Sequence, residues 1–242
     1  MSLLEARGVT VRFGGHIAVK QVDLDVDAGR ITGLIGPNGA GKTTLFNVIT
    51  GLQDTVEGSV SFDGREISRL APHKRARLGM ARTFQRLEVF GSLTARENIL
   101  AAAEFRNRYA SARMSAAEMA DIVLEIVGLR SVASERADSL PTGQARLIEL
   151  GRALASEPKL LLLDEPASGL SEVETDQLAN LLVRLAEAGL GILLVEHDMP
   201  LVMRVCQVIA VLDFGSILAQ GPPEQIRQNP QVLEAYLGSH RH

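Results

Sequence analysis

The chain has 242 residues, 46% of them hydrophobic, enough to bury a substantial core at the upper end of the single-domain range. A formal charge of −4 supplies no basic face for a phosphate backbone, so nucleic acid is not an expected partner. The single cysteine, Cys206, cannot pair within the chain and sits in the apolar run VMRVCQVIAV as a core thiol suited to a reducing cytosol; no signal segment opens the sequence, and no apolar run approaches the roughly 18 residues of a membrane span.

Alternation in Val9, Val11 and Phe13, and again in Val22, Leu24 and Val26, predicts short strands, followed by a fully buried run from Ile31 to Ile35. That run ends in a glycine-rich turn. From Lys42, KTTLFNVITGL reads as a helix stopped by Gly51, and a strand, loop and helix in this order require a parallel sheet. Between Gly91 and Gly128 strand signals are few. Thr94–Glu97 and Ser115–Glu118 are capping boxes ahead of alanine- and leucine-rich stretches, which predicts a helical insertion, with ordinary helices of the main layer as the alternative. Further on, 143–156 reads as a helix, Leu160 to Leu163 as a buried strand, and 173–188 as an amphipathic helix with Leu178, Leu181, Leu182 and Leu185 on one stripe. Gly191 to Val195 predicts another buried strand, and 208–212 with 216–219 predict two more around Asp213-Phe214-Gly215. PPEQIRQNPQVLEAYLG reads as two short helices punctuated by Pro230. The chain shows no internal repeat and no low-complexity tract.

Gly36, Pro37, Asn38, Gly39, Ala40, Gly41, Lys42 and Thr43 satisfy the phosphate-loop pattern G-x-x-x-x-G-K-[ST], between a predicted strand and a predicted helix as the mechanism demands. Glycines let successive backbone N–H groups converge on phosphate oxygens, and the helix N-terminus adds partial positive charge. Lys42 is expected to reach the β- and γ-phosphates of ATP, Thr43 to hold Mg²⁺ through its hydroxyl, and Thr44 to donate to the α-phosphate. Asp164 and Glu165 follow the buried strand, where ligand sites of open α/β sheets gather. Asp164 is placed to hold the Mg²⁺ shell and Glu165 to take a proton from attacking water.

GPNGAGKTT, Gln85 within ARTFQRLEVF, LPTGQARLIELGRAL, LLLLDEPASGL and His197 within LLVEHDM occur in the order found in ABC transporter ATPases, and the chain resembles that family from Leu3 to Leu237. RTFQ, EHDMPLVM and PPEQIRQNPQVLEAYLG are most similar to an ATPase subunit of branched-chain amino acid importers, while importers of urea and short amides resemble the same subunit. The resemblance implies an α/β fold: a P-loop NTPase core at 1–85 and 158–242 with an N-terminal antiparallel β portion, and an inserted helical subdomain at 86–157.

It further implies that Phe13 stacks on adenine, in place of the more usual Tyr, a core-facing strand residue being the alternative. Gln85 matches the glutamine that touches Mg²⁺ and the attacking water, and His197 the histidine that contacts the γ-phosphate. The catalytic set is then Lys42, Gln85, Glu165 and His197, with Thr43, Gln85 and Asp164 on the metal. Thr142, Gly143 and Gln144 belong to the signature loop, which meets the ATP of a second ABC ATPase subunit in a head-to-tail homodimer or heterodimer. Two membrane permease subunits and, through them, a solute-binding protein are the further implied partners, with the chain peripheral on the cytoplasmic face of the cell membrane. Two positions depart from the family. Pro141 removes a serine hydroxyl and a backbone N–H from the usual LSGGQ, and Ser171 stands where Asp is usual, although Ser171–Glu174 forms a good capping box. A soluble ABC ATPase with a non-transport partner would be expected to carry tandem cassettes or a long coiled coil, and a scaffold without turnover to lack Lys42 or Glu165.

Overall fold

The computed structural model describes residues 2–84, 87–109 and 114–238. Strands β1 (Ser2–Phe13) and β2 (His16–Asp27) form an antiparallel hairpin; β2 buries Val22, Leu24 and Val26 alternately, whereas bulges in β1 let Val9, Thr10 and Val11 be buried in succession. Strand β3 (Ile31–Ile35) is buried throughout and runs into helix α1 (Lys42–Thr50), which Gly51 closes in the left-handed conformation at φ 80°. Next come β4 (Glu57–Phe62), β5 (Arg65–Glu66), α2 (Pro72–Arg77) and β6 (Met80–Arg82). Three helices follow, α3 (Ala95–Asn107), α4 (Ala116–Ile126) and α5 (Thr142–Leu154). Strand β7 (Leu160–Asp164), helix α6 (Glu172–Glu187), strand β8 (Gly191–Val195) and helix α7 (Met199–Val205) restore the alternation. Strands β9 (Val208–Asp213) and β10 (Ser216–Gly221) then lead to α8 (Pro223–Gln228) and α9 (Pro230–Gly238).

The hairpin joins β4 and β5 in an antiparallel sheet ordered β2-β1-β4-β5. The second sheet is ordered β10-β9-β3-β8-β7-β6; it is parallel from β9 to β6, with β10 antiparallel at one edge. Leucine, isoleucine and valine dominate its central strands because both faces are covered. Leu34, Leu160, Leu162, Leu193 and Ala210 pack toward α1 and the small sheet, while Ile31, Ile35, Leu161, Leu163, Ile192, Leu194 and Ile209 share a second core with α6, α7 and helices α3 to α5. Gly151 lets the last three meet closely: a Cβ there would stand 2.8 Å from Ile99 Cδ1 and 3.3 Å from Val123 Cγ1.

The capping boxes at Thr94, Ser115 and Ser171 all form. Helix α5 starts at Thr142, one residue earlier than the pattern suggests, with Pro141 as its N-cap. Strand β4 alternates buried Val60 and Phe62 with Ser59 and Ser61, whereas α2, β6 and α7 are too short to carry a periodic signal of their own. Helix α2 is instead held by a buried cation. Arg75 donates to Val48 O and Ile49 O at 2.7 Å each, satisfying the last carbonyls of α1, and also to Leu70 O and Ser68 O.

Candidate active site

The phosphate loop bridges β3 and α1, and its shape leaves no room for side chains at two glycines. A Cβ on Gly36 would stand 2.0 Å from Leu212 O, and one on Gly41 would stand 2.5 Å from Ala18 O. Both have positive φ, 149° and 105°. The turn after β9 fastens the loop from outside, Gly215 N–H donating to Ala40 O at 3.0 Å. Pro37 and Ala40 close the turn through Ala40 N–H to Pro37 O, while Asn38 and Gly39 are exposed. Lys42 is buried and donates to Gly36 O at 2.6 Å and Pro37 O at 3.0 Å. Burial pulls its pKa down, opposed by the nearby carboxylates of Glu165 and Asp164. Helix α1 has no side-chain cap and no acidic residue in its first turn, so its N–H dipoles face outward beside exposed Thr43 and half-buried Thr44.

At the end of β7, Asp164 is buried, and that burial pushes its carboxyl upward against the opposing pull of Arg82 and Lys42. Arg82 donates to Asp164 Oδ2 at 3.3 Å and to Asn47 Oδ1 of α1 at 2.8 Å. Its guanidinium lies over the rings of Phe46 and Phe84, 4.7 and 5.0 Å from their centroids. Glu165 adopts a left-handed backbone, φ 50°, unusual for a residue with a side chain. Its N–H donates to Val195 O at 2.9 Å, and its Oε1 lies 2.8 Å from His197 Nε2. An ionised Glu165 makes His197 Nε2–H the donor. Buried Glu196 braces this corner by accepting from the N–H groups of Ala167, His197 and Asp198.

Lys42, Asp164, Glu165 and His197 therefore converge from three strand ends. Thr142 and Gly143 lie elsewhere, against the segment that follows Glu165: Thr142 Cγ2 borders Gly169, and a Cβ on buried Gly143 would stand 2.1 Å from Glu174 Oε1. Gln144, half-buried, follows on the first turn of α5. Phe13 is 51% exposed at the tip of the first hairpin, not in the core. Gln85 lies outside the described residues. Arg82 and Glu196 escape sequence reasoning, although a charged residue at the end of an otherwise apolar run is the signal that marks each. Among the described residues no group of three His, Cys, Asp or Glu could form a protein-only metal cage. The Thr43 hydroxyl and the Asp164 carboxylate are instead the hard oxygen donors that suit a cation held largely through substrate phosphates.

Two family models match the chain: ABC transporter over residues 19–168, and branched-chain amino acid ATP-binding cassette transporter over 216–242. The high-affinity branched-chain amino acid transport ATP-binding protein BraF of Pseudomonas aeruginosa is 43% identical over 98% of both chains. LivG of Escherichia coli K12, with the same description, is 39% identical over 98% of both, and the lipopolysaccharide export system ATP-binding protein LptB of Haemophilus influenzae is 34% identical, again over 98% of both. A solved ATP-binding cassette of an ABC transporter in its ADP conformation superposes with a TM-score of 0.88 at 31% identity, covering 98% of this chain and 99% of that one. No helix among the described residues is long and apolar enough to cross a membrane. With a phosphate loop, an acidic strand end and this likeness over its whole length, the chain belongs to the ABC transporter family as an ATP-binding, ATP-hydrolysing subunit.

Proposed function

We propose that the chain drives an importer of branched-chain amino acids or similar small polar solutes from the cytoplasmic face of the membrane, together with a second ABC ATPase subunit, two permease subunits and a solute-binding protein. The match of residues 216–242 to the branched-chain model carries the choice of solute class. Thr43, Asp164 and Gln85 would hold Mg²⁺, which would supply positive charge beside the nucleotide's phosphate oxygens. Lys42 releases Gly36 O and Pro37 O to reach the same phosphates. Glu165 accepts the proton of the attacking water, its carboxylate oriented by His197. Phe13 is exposed enough to stack on adenine, and Thr142, Gly143 and Gln144 meet the nucleotide of the opposing subunit.

Residues 86–157 serve as a helical subdomain that carries closure to the permease. A groove of about 600 Å³, walled by the exposed apolar side chains Leu52, Phe84, Phe90 and Phe105, supports seating of a permease helix there. Arg82 lines this groove and also bonds Asp164, so its occupant and the metal carboxylate share one side chain. Reconstitution with the permease and binding protein tests the reading through phosphate release. Leucine, isoleucine or valine should stimulate turnover. Stimulation by urea or short amides alone would replace the solute, and turnover indifferent to the permease would overturn the transport role.

A further inference from the structure

Arg82 closes the edge strand β6, in register with Leu162 of β7, and its side chain ties the end of β7 to α1. One arm of the guanidinium, Nη1, donates to Asn47 Oδ1 at 2.8 Å and to Thr50 Oγ1 at 3.4 Å; the other, Nη2, donates to Asp164 Oδ2 at 3.3 Å. Water is largely kept from the pair, with 13% of the Arg82 side chain and 7% of the Asp164 side chain exposed. The guanidinium also lies over buried Phe46 of α1 and over Phe84, which is 40% exposed and walls the apolar groove. Its Nε–H is buried and meets no hydrogen-bond partner among the described residues. A buried cation beside a cation site, with one donor unmet, is a poor device for stability. Its geometry suits another end: a carboxylate held through one oxygen cannot turn freely, and outer partners of this kind orient a metal ligand.

We propose that Arg82 is a positioning residue for the metal carboxylate and its link to the groove: the guanidinium fixes Asp164 for Mg²⁺, and a permease helix seated against Phe84 alters that hold through the same group. The inference rests on the readings of Asp164 as a Mg²⁺ ligand of the bound nucleotide and of the groove as the permease seat. Only a planar fork reaches Asn47 and Asp164 together; an ammonium supplies the charge without the span. The coupling is one free energy, so a groove occupant that steadies Arg82 raises affinity for Mg-nucleotide, and Mg-nucleotide raises the affinity of the groove by the same factor.

Calorimetry in a Glu165→Gln background, which stops turnover, gives the ATP affinity with Mg²⁺ and with the metal chelated, and the ratio of the two is the gain from metal. Arg82→Gln should cut that gain about tenfold, the low end of what loss of an outer partner costs a metal site, at unchanged metal-free affinity. A merely structural role would weaken ATP in both conditions and spare the gain, which overturns the proposal. Arg82→Lys should recover only part of the gain; full recovery would reduce Arg82 to a counter-charge and refute the positioning role. Should Arg82→Gln not fold, Asn47→Ala frees the other arm of the fork and should lower the gain about threefold, and an unchanged gain there counts against the proposal with equal force. Phe84→Leu removes the ring face from the guanidinium. It should lower the gain about twofold, the worth of an exposed cation–π contact, and only while Arg82 is present. A loss that persists alongside Arg82→Gln runs through the neighbouring Gln85 and refutes the link to the groove. If the Glu165→Gln chain binds ATP yet gains nothing from Mg²⁺, the metal reading of Asp164 falls and the proposal with it; a full gain that survives Arg82→Gln sinks the proposal alone.

Discussion

Helices α1 and α5 both begin without a side-chain cap and without an acid in the first turn, yet they offer their N-termini to an anion in opposite ways. At α1 the preceding loop is locked by backbone contacts that only glycine tolerates, and the group stored within it is a cation, Lys42, resting on carbonyls until phosphate arrives. At α5 the preceding residue is Pro141, which has no N–H to offer, and the neighbour at Gly143 is a carboxylate of the same chain, Glu174. An incoming phosphate therefore finds an ally at the first helix and a like charge beside the second. In the proposed head-to-tail pair, the chain would then contribute a strong half and a weak half of a nucleotide site, and the strength of each composite site would depend on what the other subunit brings.

The largest expected effect comes from Glu165→Gln, which leaves both helix starts intact and removes only basicity. Turnover should fall at least on the order of a hundredfold with Mg-ATP binding retained, measured by phosphate release against calorimetry. Near-normal hydrolysis would shift the base to another group and leave the comparison of the two helices without a catalytic readout. Lys42→Ala breaks the strong half. Nucleotide affinity should drop by about ten- to a hundredfold, the range for a hydrogen bond to a charged group, with an unchanged circular dichroism spectrum because the ammonium supports the loop and not the core. Pro141→Ser sharpens the comparison from the weak side by restoring a hydroxyl and an N–H at the start of α5. Phosphate release by the chain alone should rise severalfold per site, roughly the worth of one or two added donors. An unaltered rate in Pro141→Ser would mean that the proline does not limit the homodimer.

What could be read before the fold was known had local causes. The capping boxes at Thr94, Ser115 and Ser171, the glycine stop at Gly51 and the apolar runs of β3, β7 and β8 each act within a few residues, and the structure contains them all. Strand β6 is three residues long and owes its pairing to β7, and α2 owes its hold to carbonyls of α1 reached by Arg75. No window on the sequence contains those partners. The site divides in the same way. The phosphate-loop pattern and the carboxylate pair are contiguous in sequence, whereas Arg82 on Asp164 and Glu196 on Ala167 join segments 82 and 29 positions apart. Phe13 and His197 became readable only through resemblance, since an aromatic at a strand end or a histidine after one has many other uses. Thr142 and Gly143 show the limit of motif reading in another form: the pattern names the residues but does not disclose Glu174 beside them.

Cys206 at the end of α7 fills space that a side chain on Gly33 of β3 would otherwise take, its sulfur only 2.9 Å from where that Cβ would stand. Burial pushes the thiol up to about 12, so the native protein presents almost no thiolate to a reagent. Alkylation must then wait until α7 lifts away from the strand that feeds the phosphate loop. The single sulfur is thereby a built-in clock for that opening, requiring no engineered label. ATP that binds the closed form alone should slow the clock by a factor of one plus its concentration over Kd, which converts a labelling rate into a binding constant measured from inside the core.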